Sequence, residues 1–172
     1  MKLAYKTTSV PVERSKQAIR DLLIKSGVRG VQFTEEFNSG AVNLRFAKEI
    51  NGNLRTVNVT MKIPEPPVSK RGGPRRRWTG GGYVTTTTED RRRQLERATY
   101  RALHWWLKSQ FEAVEFGLLS FEDVFLSHFE WVIDGKQTTV GRFILPRISN
   151  GNNLLPAEGG TAVEGKVRVI RP

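Results

Sequence analysis

The sequence predicts an α+β fold, in which two helices flank a three-stranded antiparallel sheet. Three neighbouring segments alternate apolar and polar residues with a period of two, which is typical of strands that bury one face. Amphipathic stretches with helical spacing precede and follow these segments. The predicted core order is therefore helix-strand-strand-strand-helix, with a small C-terminal helix-hairpin appendage.

Residues with strong positional preferences mark the ends of the elements in the first half of this core. A helix is predicted over residues 11–26, because Pro11 suits a first turn and Gly27 suits a C-terminal cap. Asn51-Gly52 predicts the hairpin turn between the second and third strands, because both residues tolerate positive φ. The apolar positions of the three strands are Val31 and Phe33; Val42, Leu44 and Phe46; and Val57, Val59, Met61 and Ile63.

The alternation stops at Pro64. Prolines at 64, 66 and 67 and glycines at 72–73 and 80–82 predict a long loop over residues 64–87 that holds no regular structure. A loop of this length is functional, disordered or both.

The second half of the core begins with Thr87 and Asp90, whose spacing predicts a capping box. A long helix is then expected over residues 89–116, and Gly117 closes it. The sequence thus divides into a core over 1–117, an appendage over 118–148 packed on the core, and a flexible tail over 149–172. Within the appendage we expect a short helix from Ser120, a hairpin at 134–135 and one or two helical turns before residue 146.

Basic residues are concentrated in one part of the chain. The formal net charge is +11, and ten basic but only three acidic residues lie between Lys70 and Arg101. Such a local excess is the electrostatic footprint expected of a surface that binds a polyanion. The candidate binding residues are Lys70, Arg71, Arg75, Arg76, Arg77, Trp78, Tyr83, Arg91, Arg92, Arg93 and Arg97.

Two features of these residues favour nucleic acid. Arginine pairs with phosphate through a planar fork, and Trp78 and Tyr83 offer surfaces on which unpaired bases stack, at about 1–3 kcal/mol per base. The alternative is a solvated insert that happens to be basic. The positive charges of the arginines at 91–93 oppose the helix dipole, and a bound phosphate would offset this unfavourable interaction. The alternative is that the negative charges of Glu89 and Asp90 offset it.

The residues required for common catalytic sites are missing. Cysteine is absent, and His104 and His128 read as core or boundary residues. Nuclease cores with the same element order need carboxylates on the second and third strands, where only Lys62 matches the pattern. We therefore expect no enzyme, no metal and no cofactor.

Three other features leave alternatives open. The polar sheet face, which includes Asn43 and Arg45, either faces water or binds a ligand. Trp106 falls on the apolar stripe of its helix, whereas Trp105 lies under the C-terminal segment or at a partner interface. No apolar run of about 18 residues and no secretory signal occur, so we expect no membrane contact and a cytoplasmic location.

Two resemblances add to this interpretation. The element order, with basic residues opening the second helix, resembles the double-stranded-RNA-binding domain, which implies phosphate contacts by Arg91, Arg92 and Arg93. Segments 7–15, 57–64, 112–126 and 134–141 look like an uncharacterised family of small phage and prophage proteins, over about residues 5–148. This likeness implies a viral or mobile-element setting, and hence a host cytoplasm.

The expected function is non-catalytic binding of nucleic acid, either DNA or RNA. The alternative is a protein-binding regulator or inhibitor that docks on a host enzyme or ribonucleoprotein, in a host or phage protein complex. The sequence leaves the oligomeric state open.

Overall fold

A computed structural model of the chain describes residues 4–36, 39–66, 75–78, 83–133 and 135–149, with only the backbone described at 75–78 and 83–86. The α+β fold is confirmed: α1 (Val12–Lys25) is followed by β1 (Val28–Glu36), β2 (Ala41–Ile50) and β3 (Asn53–Lys62), which pair antiparallel in the order β1-β2-β3. The predicted turn at Asn51-Gly52 is confirmed, since both residues have positive φ.

The second helix is the longest element of the fold. α2 (Thr88–Glu115) has 28 residues and ends before Gly117, whose φ of +68° would strain any residue with a side chain. Leu103, Leu107 and Phe111 on α2 pack with Leu44 and Phe46 of β2 in one core cluster. The same cluster includes Ile19 and Leu23 of α1, so both helices cover the same face of the sheet.

A polar network joins three of these elements beside the core. The hydroxyl of Tyr100 on α2 donates to Glu35 Oε1 at 2.7 Å, and Lys16 Nζ of α1 lies 2.6 Å from the same oxygen. The ammonium and then the phenol lower the pKa of Glu35. Burial acts to lower the pKa of Lys16, but its hydrogen bonds to Glu35 and Glu13 outweigh burial and raise it.

The appendage begins with α3 (Phe121–Phe125) and a single 3₁₀ turn (Leu126–His128). The hairpin β6 (Glu130–Ile133) and β7 (Lys136–Thr139) follows, and α4 (Val140–Ser149) closes it. Phe121 and Phe125 belong to the main core cluster, so this region shares the core of the sheet and helices.

Two sequence predictions about irregular structure are wrong. The segment expected to hold no regular structure contains a hairpin of β4 (Arg75–Trp78) and β5 (Tyr83–Thr86). β4 ends with Trp78 and β5 consists of Tyr83, Val84, Thr85 and Thr86, which are residue types that favour strands, and glycines 80–82 lie between the two strands. The last helix was expected to stop before Pro146 but continues through it to Ser149. Proline removes one backbone donor, and this helix is largely exposed, so water can satisfy the freed carbonyl.

Candidate nucleic-acid interface

The start of α2 is held by a capping box between Thr87 and Asp90, as the sequence predicts. The Asp90 N–H donates to Thr87 Oγ1 at 3.0 Å, while the Thr87 N–H and hydroxyl donate to Asp90 Oδ2 at 2.9 and 2.8 Å. The backbone hydrogen bond and then the hydroxyl lower the pKa of Asp90. The Asp90 carboxylate therefore binds Thr87 in the cap and forms no ion pair with any neighbouring arginine whose side chain is described.

Arg91, Arg92 and Arg93 follow this cap one turn into the helix. Arg92 and Arg93 are exposed and Arg91 is half-buried. Arg93 Nε lies 3.3 Å from Glu89 Oε1, in a pair whose side chains are both largely exposed. Within the described part of the chain, no carboxylate lies within 4.0 Å of Arg91 or Arg92. Of the three arginines, Arg93 alone is therefore paired with a carboxylate in the described part of the chain, that of Glu89.

The basic surface continues along α2 beyond the first turn. Arg97 and Arg101, each four residues after the previous arginine, are half-buried. Among the residues that the structure describes, neither has a carboxylate within 4.0 Å. Positions four apart lie on the same side of a helix, so Arg93, Arg97 and Arg101 form one row. Arg97 was expected in the site from the sequence, whereas Arg101 was not.

Trp105 and Lys108 complete this row, which we call the α2 row (Arg93, Arg97, Arg101, Trp105 and Lys108). The Arg101 guanidinium carbon lies 5.2 Å from the centroid of the Trp105 ring, and Lys108 Nζ lies 5.1 Å from it. Lys108 also pairs with Glu112 at 3.5 Å. Trp105 and Lys108 were not among the predicted site residues, although spacings of four, four, four and three residues along the helix are the signal that identifies the row.

The arginine-rich hairpin leads into the start of this row. β5 ends at Thr86 and α2 begins at Thr88, so one residue separates them. Arg75 is paired with Thr86 and Trp78 with Tyr83. The structure therefore brings the backbone of Arg75 close to the helix start. Arg76 and Arg77 lie between these pairs on β4, and Lys70 and Arg71 lie outside the described residues.

The two histidines lie at the edge of the core. Burial lowers the pKa of His104, and the neighbouring Arg101 and Lys108 lower it further. Burial also lowers the pKa of His128, and this effect outweighs a hydrogen bond with the backbone of Asn58, which acts to raise the pKa. Across residues 4–36, 39–66, 83–133 and 135–149, no group of three or more His, Asp or Glu side chains could hold a metal ion.

The polar sheet face is occupied in part by the appendage. Glu130 of β6 has a side chain only 9% exposed and receives hydrogen bonds from Arg45 Nε at 2.9 Å and Asn58 Nδ2 at 3.1 Å. Arg142 of α4 donates to Thr60 Oγ1 at 3.0 Å. These polar side chains therefore have partners within the molecule, and the α2 row is the better candidate for an external ligand.

No protein-family model matches the chain, and no match was found among curated proteins or solved structures. None of the described helices combines the length and the apolar character needed to cross a membrane.

Proposed function

We propose that this protein binds nucleic acid without catalysing a reaction on it, and that it grips phosphates with arginines of α2. The observation that carries this proposal is the set of arginines Arg91, Arg92, Arg97 and Arg101. None has a carboxylate within 4.0 Å in the described part of the chain, although all four lie on one helix. Clustered cations that no carboxylate neutralises favour an external anion.

The position of these arginines adds to the proposal. Arg91 lies at the end of the first turn of α2, where a cation opposes the helix dipole at a cost of several tenths of a kcal/mol. Phosphate oxygens accept hydrogen bonds from guanidinium groups and from the free N–H groups of a helix start. A bound phosphate backbone would therefore turn an unfavourable arrangement into a favourable one.

The arginine-rich hairpin would extend the same surface. β5 joins α2 through Thr87 alone, and Arg75, Arg76 and Arg77 pair with β5, so their backbone lies on the strand next to the one that leads into the helix. In this proposal the hairpin contributes further phosphate contacts, with stacking by Trp78 and Tyr83. The resemblance to phage proteins suggests that this role belongs to viral or mobile-element nucleic-acid metabolism.

The test is the salt dependence of binding to single-stranded and duplex DNA and RNA. If Arg91, Arg92, Arg97 and Arg101 each neutralise one phosphate, log affinity should fall with log salt at a slope of about −3.6 for a duplex and about −2.8 for a single strand. Between 50 and 200 mM salt the affinity would then fall about 150-fold or about 50-fold respectively. Each phosphate contacted by the hairpin would steepen the slope by about 0.7–0.9.

Two variants of equal charge separate this surface from the general basicity of the protein. The triple variant Arg91→Gln, Arg92→Gln, Arg97→Gln should flatten the slope by about 2–3. The matched control is Arg14→Gln, Arg55→Gln, Lys62→Gln, which removes the same charge from exposed positions on α1 and β3. Equal loss in the two triples, or no binding of any of the four nucleic acids at 50 mM salt, would contradict the proposal. Replacing Arg75, Arg76 and Arg77 with Gln tests the hairpin separately.

A second candidate function is binding of a host or phage protein, as a regulator or inhibitor. Its support is an exposed apolar surface between β3 and the appendage, where Leu54 of β3 and Trp131 and Val132 of β6 line a cavity of about 380 Å³. Apolar surface of this kind often marks a protein interface. Recovery of one stoichiometric partner after nuclease treatment, lost in Trp131→Ala but not in the α2 triple variant, would favour this function.

A further inference from the structure

Two adjacent tryptophans of α2 lie in different environments. Trp106 packs on the core, with its ring centroid 6.1 Å from that of Phe125 and 5.6 Å from that of His128. Trp105 points away from the core cluster and remains 39% exposed. An exposed indole in a helix that buries its other large residues is available to a ligand.

The neighbours of Trp105 are cationic. Arg101 lies one turn before it and Lys108 one turn after it, at 5.2 and 5.1 Å from the ring centroid. Cations at exposed sites interact only weakly with an aromatic ring, and both side chains are long and flexible. Each can therefore move from the ring to a phosphate when a base occupies the indole face. An aromatic ring between two cations matches a nucleotide, which has a flat base beside a charged phosphate.

The length of the α2 row fits several nucleotides. Arg93 and Lys108, the two ends of the row, are fifteen residues apart, which is about 22 Å along a helix. One strand of B-DNA places about six phosphates along this length, at about 3.4 Å each, and a more extended unpaired strand places fewer. A duplex keeps its bases stacked inside, so it could use the cations of the row but not the indole. An unpaired strand could use both.

We propose that Trp105, flanked by Arg101 and Lys108, is a stacking site for an unpaired base, so that the α2 row selects single-stranded over duplex nucleic acid. This inference rests on the proposed function, because it assigns a strand type to the same surface. It also adds a stacking contact to those expected at Trp78 and Tyr83. The 2′-hydroxyl is not part of the argument, so DNA and RNA single strands share the recognised chemistry.

The test measures affinity of the full chain for a twelve-nucleotide oligo-dT, an oligo-U of equal length and a twelve-base-pair duplex at constant salt. Trp105→Leu should lower the affinity for both single strands by about 5- to 150-fold, the range expected for loss of one stacked base. Duplex affinity should stay within about twofold, and the salt slope should not change because no charge is removed. Trp105→Tyr, which keeps an aromatic face, should retain most of the single-strand affinity.

The matched control is Trp131→Leu, which removes an indole of similar exposure, 49%, from the β6–β7 hairpin. It should leave all three affinities unchanged. Equal losses for single strand and duplex, no loss in Trp105→Leu, or a loss confined to Trp78→Leu would overturn the stacking site. A failure of the inference alone differs from a failure of the proposed function. In the first case the α2 arginines still set the salt slope, and in the second the wild-type protein binds no nucleic acid.

Discussion

Removal of the Glu130 carboxylate should weaken the attachment of the β6–β7 hairpin to the sheet. This carboxylate accepts hydrogen bonds from Arg45 Nε and Nη2 at 2.9 and 2.5 Å, from Asn58 Nδ2 at 3.1 Å and from Gln137 Nε2 at 2.9 Å. Arg45 lies on β2, Asn58 on β3 and Gln137 on β7, so one side chain joins three strands. Glu130→Ala removes all four bonds at once.

The expected cost follows from the exposure of each partner. Leaving a fully buried charge unpaired costs about 3–5 kcal/mol. The side chain of Arg45 is 43% exposed and Gln137 is exposed, so both can turn to water after the substitution. Asn58 is half-buried and cannot do so as easily. We therefore expect Glu130→Ala to lower the free energy of unfolding by about 2–3 kcal/mol, which is about 4–12 °C in Tm for a chain of this size.

Urea denaturation at pH 7 measures this cost, and Glu49→Ala provides the control. Glu49 pairs with Arg29 across β1 and β2, but the two side chains are 42% and 69% exposed, so this loss should stay within about 0.5 kcal/mol. A double-mutant cycle of Glu130→Ala with Arg45→Ala should give a coupling energy of about 1–2 kcal/mol. If Glu130→Ala costs no more than Glu49→Ala, or the coupling energy is zero, the appendage is not anchored in this way.

Three further predictions concern the core and the backbone. Tyr100→Phe removes the hydroxyl that donates to Glu35 at 2.7 Å and should cost about 1–2 kcal/mol of unfolding free energy, as measured in urea; a neutral result would mean that this bond adds nothing. Because the neighbouring ammonium and phenol lower the pKa of Glu35, its contribution to stability should be complete above its ordinary value of 4.5 and be lost as the pH falls through the lowered value. The stability difference between wild type and Glu35→Gln should therefore shrink between pH 6 and pH 3, and a constant difference would contradict the assignment. A Cβ at Gly141 would lie 2.7 Å from the backbone oxygen of Ser127, so Gly141→Ala should lower Tm, although alanine normally favours a helix. In the control Gly30→Ala, the added Cβ meets no atom within 4 Å, so Tm should change little. A higher Tm in Gly141→Ala would show that the chain relaxes freely at this position.

Sequence patterns predicted the elements whose causes are local. The strands follow from residues that alternate with a period of two, and the turn at Asn51-Gly52 follows from residues that accept positive φ. The capping box of α2 needs only Thr87 and Asp90, which lie three residues apart. Each of these features is decided by residues within one turn or one hairpin of each other. The arginines of α2 were found for the same reason, because their charge and spacing are visible in the chain.

The β4–β5 hairpin and the helix across Pro146 were not predicted, because each depends on more than the local sequence pattern. Glycine and proline around residues 64–86 concealed the hairpin, since strand preference at β4 and β5 had to be weighed against the breakers beside them. The helix continues across Pro146 in a largely exposed part of the chain, where water can bond the freed carbonyl, and the local sequence pattern does not predict this exposure. Lys70, Arg71 and residues 150–172 lie outside the described part of the chain, so the flexible tail and the first part of the basic segment stay predictions.

The sequence by itself determined the α+β class, the order of the core elements and the concentration of positive charge near α2. Only the tertiary structure decided which polar groups have internal partners. Glu130 and Arg45 are 85 residues apart in the chain and meet because the appendage reaches the sheet beside β3. Trp105 and Trp106 are neighbours in the chain, yet one is exposed and the other packed, because the core contacts only one side of α2. Periodicity reports which residues share a side of an element, whereas packing of the whole chain decides which sides are covered.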